Sequence, residues 1–420
     1  MLVYVLNKDG KPLMPCSQAK ARILLKDGKA KVVKRTPFTI QLIYGSSGYV
    51  QPVTLGVDTG YKKVGLSAVS KDKELFVSEV ELRTDIPNLL SQKRQYRGTR
   101  RNKLWHRKPR FFNRVKSKKK GWLSPSVEHR LNEHIKAVNL VKSILPVSLI
   151  AIEAAAFDIQ KIKNPGISGT EYQNGEQKDF WNVREYVLYR DNHTCQSCNG
   201  KSKDKVLNVH HIKSRQTGGN RPDNLLTLCE TCHKTYHKGK IELKIKNNKR
   251  FKAETIMSIL RWKIVNRLRE LGNIVSVTYG YITKSARIAL KLEKSHTNDA
   301  YVIAGGTVQE KTGNNYFIKF VRKCNRSLFK ANLLKGGKRR VNTIKRAFGF
   351  SRWDKVVCGG VECFIHGLRS SGYFDIRRLT GEKINASVKH ADLRLIEPFK
   401  TWRIAISPPL RTESSSYEFI

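Results

Sequence analysis

The chain has 420 residues, of which 39% are hydrophobic and 9% aromatic, so it has room for two or three domains and is not wholly disordered. Lysine and arginine together number 81 against 34 acidic residues, which gives a formal net charge of +47. A field of that sign and size attracts a polyanion, so we expect nucleic acid to neutralise the chain. Charge alone favours a non-catalytic binder of the ribosomal type, and only catalytic motifs would argue for more.

The cysteines and the apolar runs indicate the compartment. No run of about 18 apolar residues predicts a transmembrane helix, and the N-terminal residues lack the long apolar region of a signal peptide. Four of the eight cysteines fall in two Cys-x-x-Cys pairs, which favours metal binding in a reducing compartment. We expect a cytoplasmic protein with no membrane partner, associated with the nucleoid when it acts. The remaining cysteines are interpreted as ordinary free thiols: Cys16, Cys324, Cys358 and Cys363.

Two β-rich segments come first in the chain. Residues 1–50 alternate short β-like runs with glycine and proline turns, and they carry KPLMP at 11–15. This pattern predicts a small β-rich domain. Residues 53–82 divide into three apolar runs separated by turn residues, which predicts a β-meander.

The segment 91–120 is strongly basic. It holds 14 lysines and arginines in 30 positions and no acidic residue. A helix with cations on all sides is destabilised by their repulsion unless phosphates surround it. We therefore predict a nucleic-acid-binding helix, with a solvated basic linker as the alternative. The candidate nucleic-acid-binding residues are Arg94, Arg97, Arg100, Arg101, Lys103, Arg107, Arg110 and Arg114.

The order of the remaining elements predicts a domain that another module interrupts. Apolar positions at helical spacing over 127–145 precede the predicted strand 147–153. A Cys/His-rich block follows over about 180–240, and then a helix from 253, a strand and a short helix around 297–304. Residues 312–408 are short strands and turns, which predict a second β-rich domain. Insertion of one module into a surface loop of another is physically tolerated.

The Cys/His-rich block predicts a structural zinc site. Cys195 and Cys198 form one Cys-x-x-Cys pair, and Cys229 and Cys232 form the other. Four thiolates suit a closed tetrahedral zinc site. The alternative is a set of unligated core cysteines. The gap between the pairs is longer than in common zinc ribbons, so it must contain structure of its own.

That gap carries residues suited to phosphodiester hydrolysis. His210 and His211 end an apolar strand, and neighbouring strand residues point to opposite faces, so the two can do different work. His233 and His237 lie four residues apart, on one face of a predicted helix. Hydrolysis needs a cation for the developing charge and a base that works near neutral pH, which suits histidine. A structural zinc finger whose histidines merely pack is the alternative.

Three acidic residues lie where isolated carboxylates are unexpected. Asp58 ends one apolar strand, Glu153 ends another, and Asp299 opens an apolar helix with His296 three residues before it. Burying an unpaired charge is costly, and two-metal phosphoryl transfer needs several converging carboxylates. Each acid alone is more typical of a turn or a cap, but the ordered set predicts a metal-binding centre.

These motifs resemble two nuclease families. The block with Val-His-His and Cys-His-x-x-x-His resembles the HNH, or ββα-metal, nucleases. That resemblance implies His211 as general base, Asn224 as the residue that orients it, and His210, His233 and His237 as ligands of one Mg²⁺-type ion. Asp58 with Gly60 and Gly65, Glu153, and His296 with Asp299 resemble the RuvC branch of the RNase H fold. That resemblance implies that Asp58, Glu153 and Asp299 bind two Mg²⁺ ions and that His296 acts as base or ligand.

The order of these motifs, together with KPLMP, resembles the IscB family, transposon-associated relatives of the large RNA-guided CRISPR nucleases. The implied fold class is multidomain α/β and α+β: an RNase H-like (RuvC) fold split in sequence, an inserted ββα-metal HNH domain with its four-cysteine zinc site, and small β-rich terminal domains. The implied domains are 1–50, the PLMP-type domain; 51–88, RuvC part I; 89–120, the arginine-rich bridge helix; 121–165, RuvC part II; 175–245, HNH with linkers; 250–311, RuvC part III; and 312–410, the domain that contacts a target-adjacent motif.

The resemblance also implies an activity and partners. It implies a monomer in a ribonucleoprotein with a noncoding omega RNA, which pairs with one strand of double-stranded target DNA. HNH would cut the paired strand and RuvC the displaced strand. The residues leave two alternatives open: an unguided homing or structure-specific endonuclease, and a binder without catalysis.

The large CRISPR nucleases place a helical lobe between the basic helix and the second RuvC strand. Only about 30 residues separate the two here, so we expect RNA to supply much of the scaffold.

Overall fold

A computed structural model describes residues 1–46, 48–102, 121–154, 180–212, 219–220, 222–243, 252–322, 344–399 and 402–406, without the side chains at 99–102 and 252. The chain forms two compact units, a larger one of Met1–Ala156 with Ile256–Ile420 and a smaller one of Phe157–Thr255. The predicted interruption of one domain by another is thus present in the structure. Among the described helices, none is long and apolar enough to cross a membrane.

The first domain is a four-stranded sheet with one helix. Its elements are β1 Val3–Leu6, β2 Pro12–Cys16, α1 Gln18–Lys26, β3 Ala30–Lys34 and β4 Thr39–Leu42. The sheet order is β2-β1-β4-β3, and the KPLMP segment contributes most of the edge strand β2. Ser17 caps α1 by accepting a hydrogen bond from the Lys20 amide. The sequence predicted the strands but not this helix.

The second region builds most of the large core. Its elements are β5 Val53–Thr59, β6 Lys63–Val69, β7 Lys73–Glu81, α2 Ile86–Asn102, α3 Pro125–Lys142 and β8 Val147–Glu153. Strands β5, β6 and β7 form the predicted antiparallel meander. Helix α3 buries one apolar face in the same core as these strands. The predicted strand 147–153 is confirmed at both ends.

The smaller unit is a hairpin flanked by two helices. Its elements are α4 Val183–Arg190, β9 Leu207–His211, β10 Leu225–Cys229 and α5 Glu230–His237. Strands β9 and β10 pair antiparallel, and α5 follows β10 directly. This ββα order is the one that the resemblance to the HNH nucleases implied for the Cys/His-rich block. Asn182 caps α4 by accepting a hydrogen bond from the Glu185 amide.

The chain then returns to the large sheet. The returning elements are α6 Lys252–Glu270, β11 Val275–Thr278, α7 Gly280–Ala289, α8 His296–Ile303, β12 Glu310–Lys311 and β13 Asn315–Phe320. The C-terminal elements are β14 Arg346–Ala347, β15 Phe350–Ser351, β16 Lys355–Cys358, β17 Val361–Leu368, β18 Tyr373–Arg377, β19 Lys383–Lys389, β20 Arg394–Glu397 and β21 Trp402–Ile406. The eight-stranded sheet has the order β11-β8-β5-β6-β7-β13-β21, with β12 paired to β7.

One domain boundary of the sequence analysis is wrong. Residues 312–410 were predicted to form one C-terminal β-rich domain, but β13 and β21 belong to the large sheet. Strand β13 pairs parallel with β7, and β21 pairs antiparallel with β13. The separate five-stranded C-terminal sheet contains only β16–β20, in the order β19-β18-β17-β16-β20. Strand pairing between segments far apart in sequence leaves no local signal, so the sequence could not place these two strands.

Three predictions about flexible or basic segments lie wholly or partly outside the described residues. Helix α2 confirms a helix in the arginine-rich segment as far as Asn102, and the side chains of Arg94 and Arg97 are exposed. The sequence also predicts a linker at 164–177, a stretch that contains glycine and asparagine. It lies outside the described residues, as do the remaining basic candidates Lys103, Arg107, Arg110 and Arg114. The side chains of Arg100 and Arg101 are likewise not described.

Two glycines let helix α8 pack directly on the strands. A Cβ at Gly56 would lie 2.0 Å from the Ala300 carbonyl oxygen, and a Cβ at Gly65 would lie 1.8 Å from the His296 carbonyl oxygen. Real Cβ atoms do not approach backbone this closely, so only glycine permits the contact. The close approach brings the first turn of α8 to the end of β5, where Asp58 lies.

We expect Gly65→Ala to destabilise the large unit. The added methyl group must push α8 away from β6, and overpacking of this kind costs about 1–3 kcal/mol. Thermal and urea unfolding of the purified variant measure the loss. Gly45→Ala is the matched control, because nothing lies within 4 Å of a Cβ at Gly45. Equal stability of the two variants would contradict this packing.

Candidate active sites

The hairpin of the smaller unit positions the first group of histidines. His211 pairs with Leu225 and His210 with Leu226 across β9 and β10. Neighbouring strand residues face opposite sides, and the two histidines indeed differ: His210 is buried, whereas His211 is partly exposed. Helix α5 presents His233 and His237 one turn apart on the side of His210.

Three imidazoles converge there into a possible metal site. Nitrogen atoms of His210, His233 and His237 all lie within 4.8 Å of one another, and the Nε2 atoms of His233 and His237 are 3.3 Å apart. Burial, and then the neighbouring histidines, lower the pKa of His210 to about 4, so its ring is neutral at pH 7. Its Nε2 atom is buried with no hydrogen-bond partner. A neutral imidazole with an unused nitrogen suits metal coordination.

The fourth histidine, His211, has a different neighbour from Asn224, the residue that the HNH resemblance implied. His211 Nε2 lies 3.0 Å from Asn220 Oδ1. Asn224 is buried, and its side-chain amide donates to the Gly219 carbonyl oxygen while its backbone carbonyl accepts from the Ile212 amide. Asn224 thus holds the loop that carries Asn220. The sequence analysis did not single out Asn220, because a loop asparagine among many gives no periodic or spacing signal.

The four predicted cysteines also meet. The sulfur atoms of Cys195, Cys198, Cys229 and Cys232 lie within 4.8 Å of one another, and those of Cys198 and Cys229 are 3.9 Å apart. Burial and the neighbouring thiols raise the pKa of Cys232, and coordination to a cation would reverse this effect because coordinating thiols are deprotonated. Four thiol donors and this spacing fit a structural zinc ion.

We expect zinc removal to unfold the smaller unit. The buried cluster around these cysteines contains three of them and Leu228, and four partly buried apolar residues pack against it. A structural zinc contributes about 10–16 kcal/mol in zinc-finger peptides at pH 7, more than so small a core supplies. Cys229→Ser should lose bound zinc, measured by elemental analysis, and make this unit sensitive to limited proteolysis. Cys358→Ser is the control, since Cys358 lies outside this group.

The carboxylates of the large unit lie at neighbouring strand ends. Strands β5 and β8 are parallel, and Val57 pairs with Ile152, so Asp58 and Glu153 follow as neighbours. Helix α8 adds Asp299 in its first turn. Burial first, and then the nearby charge of Asp58, raises the pKa of both Glu153 and Asp299. The structure therefore brings together the three acids that the sequence selected.

Two arginines that the sequence analysis missed are paired with these acids. Arg261 Nη2 of α6 lies 3.5 Å from Glu153 Oε1, and Arg287 Nε of α7 lies 2.8 Å from Asp299 Oδ1. Among the described residues, no choice of one oxygen from each of these three carboxylates places all three oxygens within 4.8 Å of one another. The guanidinium groups hold two of the acids, and they offset part of the repulsion among the three charges.

His296 contacts the first of these acids. Its Nδ1 atom lies 2.6 Å from Asp58 Oδ2. The hydrogen bond with Asp58 raises the pKa of His296, although burial opposes the shift. The predicted proximity of His296 to the carboxylates is thus present, and its Nδ1 is occupied by Asp58.

Comparisons with known proteins agree with this arrangement. The RRXRR protein family matches residues 3–175, and the HNH endonuclease family matches residues 195–239. The resemblance to the IscB family is confirmed: the chain is IscB-like, with an HNH endonuclease domain. The HNH match includes both Cys-x-x-Cys pairs and the four histidines of the candidate HNH site, His210, His211, His233 and His237. This IscB-like chain therefore contains an HNH endonuclease domain in its smaller unit.

Solved structures and curated proteins add little. Among solved structures, the chain matches Streptococcus thermophilus Cas9 in complex with the GGAA PAM, at 14% identity and a TM-score of 0.34. That match covers 51% of this chain and 30% of the Cas9 chain. No curated protein matches.

Proposed function

We propose that this protein is an RNA-guided endonuclease that cuts both strands of double-stranded DNA. The HNH centre would cut the strand that pairs with the guide RNA, and a RuvC-type centre at Asp58, Glu153 and Asp299 would cut the displaced strand. The observation that carries the proposal is the presence of two separate groups of candidate site residues in a chain with a net charge of +47: three converging histidines in the smaller unit, and three acids at neighbouring positions in the larger one.

In the HNH centre, His211 is the proposed general base. Its ring is partly exposed, next to His210 in β9, and an imidazole is suited to take a proton from an attacking water near neutral pH. Asn220 holds the other side of the base by its contact with Nε2, and Asn224 positions the loop of Asn220. A cation bound by His210, His233 and His237 would supply charge stabilisation at the scissile phosphate.

The donor set of this centre suggests which cation suits it. We expected a Mg²⁺-type ion, but Mg²⁺ prefers oxygen ligands and binds through carboxylates, phosphates and water. Three imidazole donors suit a borderline divalent metal better. We propose that the three histidines favour such a metal, while the carboxylates of the large unit favour Mg²⁺.

In the second centre, the acids are the proposed ligands of a cation pair. Asp58, Glu153 and Asp299 are oxygen donors at one edge of the sheet, in the chemistry that Mg²⁺ prefers. Arg261 and Arg287 would release or share Glu153 and Asp299 when cations bind. His296, held through Nδ1 by Asp58, leaves Nε2 for a proton of the attacking water.

Charge supports an RNA partner. A chain this basic needs far more phosphate than a short DNA site provides, and helix α2 exposes Lys93, Arg94 and Arg97 to solvent. Between α2 and β8, the described residues form one further helix, α3, whose apolar face is buried in the core. A bulky guide RNA would supply the surface on which the heteroduplex lies.

RNA co-purification tests guidance directly. The full chain is expressed with its native flanking DNA, purified at high salt, and its bound RNA is sequenced. We expect one abundant defined RNA, and we expect cleavage to follow a reprogrammed guide segment. A protein that carries no defined RNA and cuts one fixed site would instead be an unguided homing or structure-specific endonuclease.

A further inference from the structure

A pair of exposed tyrosines lies at the start of α7 in the large unit. The rings of Tyr279 and Tyr281 are nearly parallel, with an interplanar angle of 10° and centroids 6.1 Å apart. Tyr279 is 45% exposed and Tyr281 is 72% exposed. Ile288 lies two turns after Tyr281 and is exposed on the same side of the helix. Single exposed apolar residues are common, but several on one helix face are typical of a binding surface.

Strand register places this pair beside the carboxylate centre. Strand β11 runs parallel to β8, and Thr278 lies opposite Glu153, so Tyr279 follows at the end of the strand that neighbours this acid. Gly280 lies between the two tyrosines and packs on Glu153, where a Cβ would be 3.2 Å from Oε1. The backbone that carries both rings is therefore held directly against one of the three acids.

The rest of α7 supplies positive charge next to the same centre. The helix carries Lys284 and Arg287 and no acidic residue. Lys284 is exposed, and Arg287 Nε lies 2.8 Å from Asp299 Oδ1. An anion is therefore the favoured partner of this surface. A second copy of the chain is disfavoured, because two chains with a net charge of +47 repel each other.

An unpaired nucleic-acid strand has both properties that this surface fits. Its phosphates are anionic, and its bases have free faces, whereas the bases of a duplex already stack on one another. Stacking of a base on an aromatic side chain tolerates any sequence, because every base has a π face. Exposed aromatic rings beside acids that would bind cations for phosphodiester cleavage thus fit a strand whose phosphate lies at the acids and whose bases lie on the rings.

We propose that Tyr279 and Tyr281 bind, by stacking, the bases of the DNA strand that the carboxylate centre cuts, and that this strand is unpaired there. The proposal rests on the proposed function, which assigns the cleavage of a DNA strand to this centre. Because Gly280 packs the backbone of the pair against Glu153, a stacked base sets the position of its phosphate relative to the acids. The two tyrosines are therefore substrate-binding residues that orient the strand.

Photocrosslinking locates the bound strand without any cleavage. A short single-stranded DNA that carries 5-iodouracil is mixed with the full chain as purified, with EDTA present and about 0.3 M NaCl to screen surface charges. Light then joins iodouracil to an aromatic ring in contact with it, and mass spectrometry identifies the residue. We expect crosslinks at Tyr279 or Tyr281, and far fewer when the same DNA is a duplex. Tyr281→Leu should reduce crosslinking to the pair at least about fivefold.

Strand-specific cleavage measures whether the stacked base matters to the cut. Tyr281→Leu should slow the cut that Asp58→Asn abolishes at least about fivefold and leave the other cut unchanged. Tyr281→Trp keeps an aromatic face and should restore the rate, which a merely structural role of the tyrosine would not predict. Tyr44→Leu is the matched control, because Tyr44 is 46% exposed and lies outside the pair. Because both substituted side chains are exposed, both variants should fold.

Several outcomes would overturn the proposal. They are crosslinks confined to other residues, equal crosslinking of duplex and single strand, preferred crosslinking of single-stranded RNA, and equal cleavage by Tyr281→Leu and Tyr44→Leu. Failure of the proposed function gives a different result, since Asp58→Asn then leaves both cuts intact. That result removes the cut strand and with it the proposal, even where crosslinks place unpaired DNA on the two tyrosines.

Discussion

His211→Asn should abolish cleavage of one DNA strand and leave the other strand cut, so that the variant nicks its target. A positioned general base contributes about 10²–10⁴-fold to such reactions, and asparagine cannot take a proton from water. The three imidazoles that would bind the cation remain, so binding of DNA and metal should be unchanged. Strand-specific labelling of both DNA ends measures the two cuts separately.

His193→Asn is the matched control for this variant. His193 is exposed in the same unit and lies outside the group of three imidazoles. Its backbone has a φ of 48°, a conformation that asparagine tolerates. Loss of both cuts in His211→Asn, or equal loss in both variants, would mean that His211 serves the structure of the unit rather than the chemistry of one strand.

The local pattern of the sequence predicted the main framework of both centres. Apolar runs with turn residues identified the strands that end at Asp58 and Glu153, and helical spacing identified the helix of Asp299. The Cys-x-x-Cys spacing predicted which thiols meet, and the structure confirms that group. These features follow from contacts between near neighbours in sequence, which composition and periodicity record.

Other features depend on contacts that the sequence does not record. Arg261 and Arg287 lie on helices whose sequence pattern shows nothing unusual at these positions. Only the folded structure shows that they pair with Glu153 and Asp299. Strands β13 and β21 complete the large sheet from segments separated by the whole C-terminal domain. Such long-range strand pairing depends on how side chains pack against neighbouring strands in the folded core, and local β-propensity does not reveal it.

The structure gives a physical reason for a glycine in the sequence motif around Asp58. Gly65 belonged to the Asp-x-Gly-x4-Gly pattern that suggested the second centre. The structure explains the residue type, because a Cβ there would meet the backbone of His296. Gly65 therefore helps to position the candidate catalytic residues. Helix α8 can bring His296 to Asp58 because β6 carries no side chain at Gly65.

Asp58→Asn should abolish cleavage of the strand that His211→Asn leaves intact. Asp58 interacts with the other three residues of this centre. Its charge raises the pKa of Glu153 and of Asp299, and its Oδ2 atom contacts His296. A neutral amide is a weaker ligand for Mg²⁺ and removes the partner of His296. Loss of several kcal/mol of charge stabilisation corresponds to at least about a 100-fold slower cut.

The same variant has a readout that does not depend on cleavage. Because the charge of Asp58 raises the pKa of Glu153 and Asp299, its removal should lower both values, and the pKa of His296 should fall for lack of its hydrogen-bonded partner. Carboxyl and imidazole NMR titrations follow all three groups. Asp72→Asn, in the exposed turn between β6 and β7, is the control. Unchanged titrations would contradict the coupling of Asp58 to these three groups, whereas shifted titrations with both cuts intact would remove the second nuclease centre from the proposal.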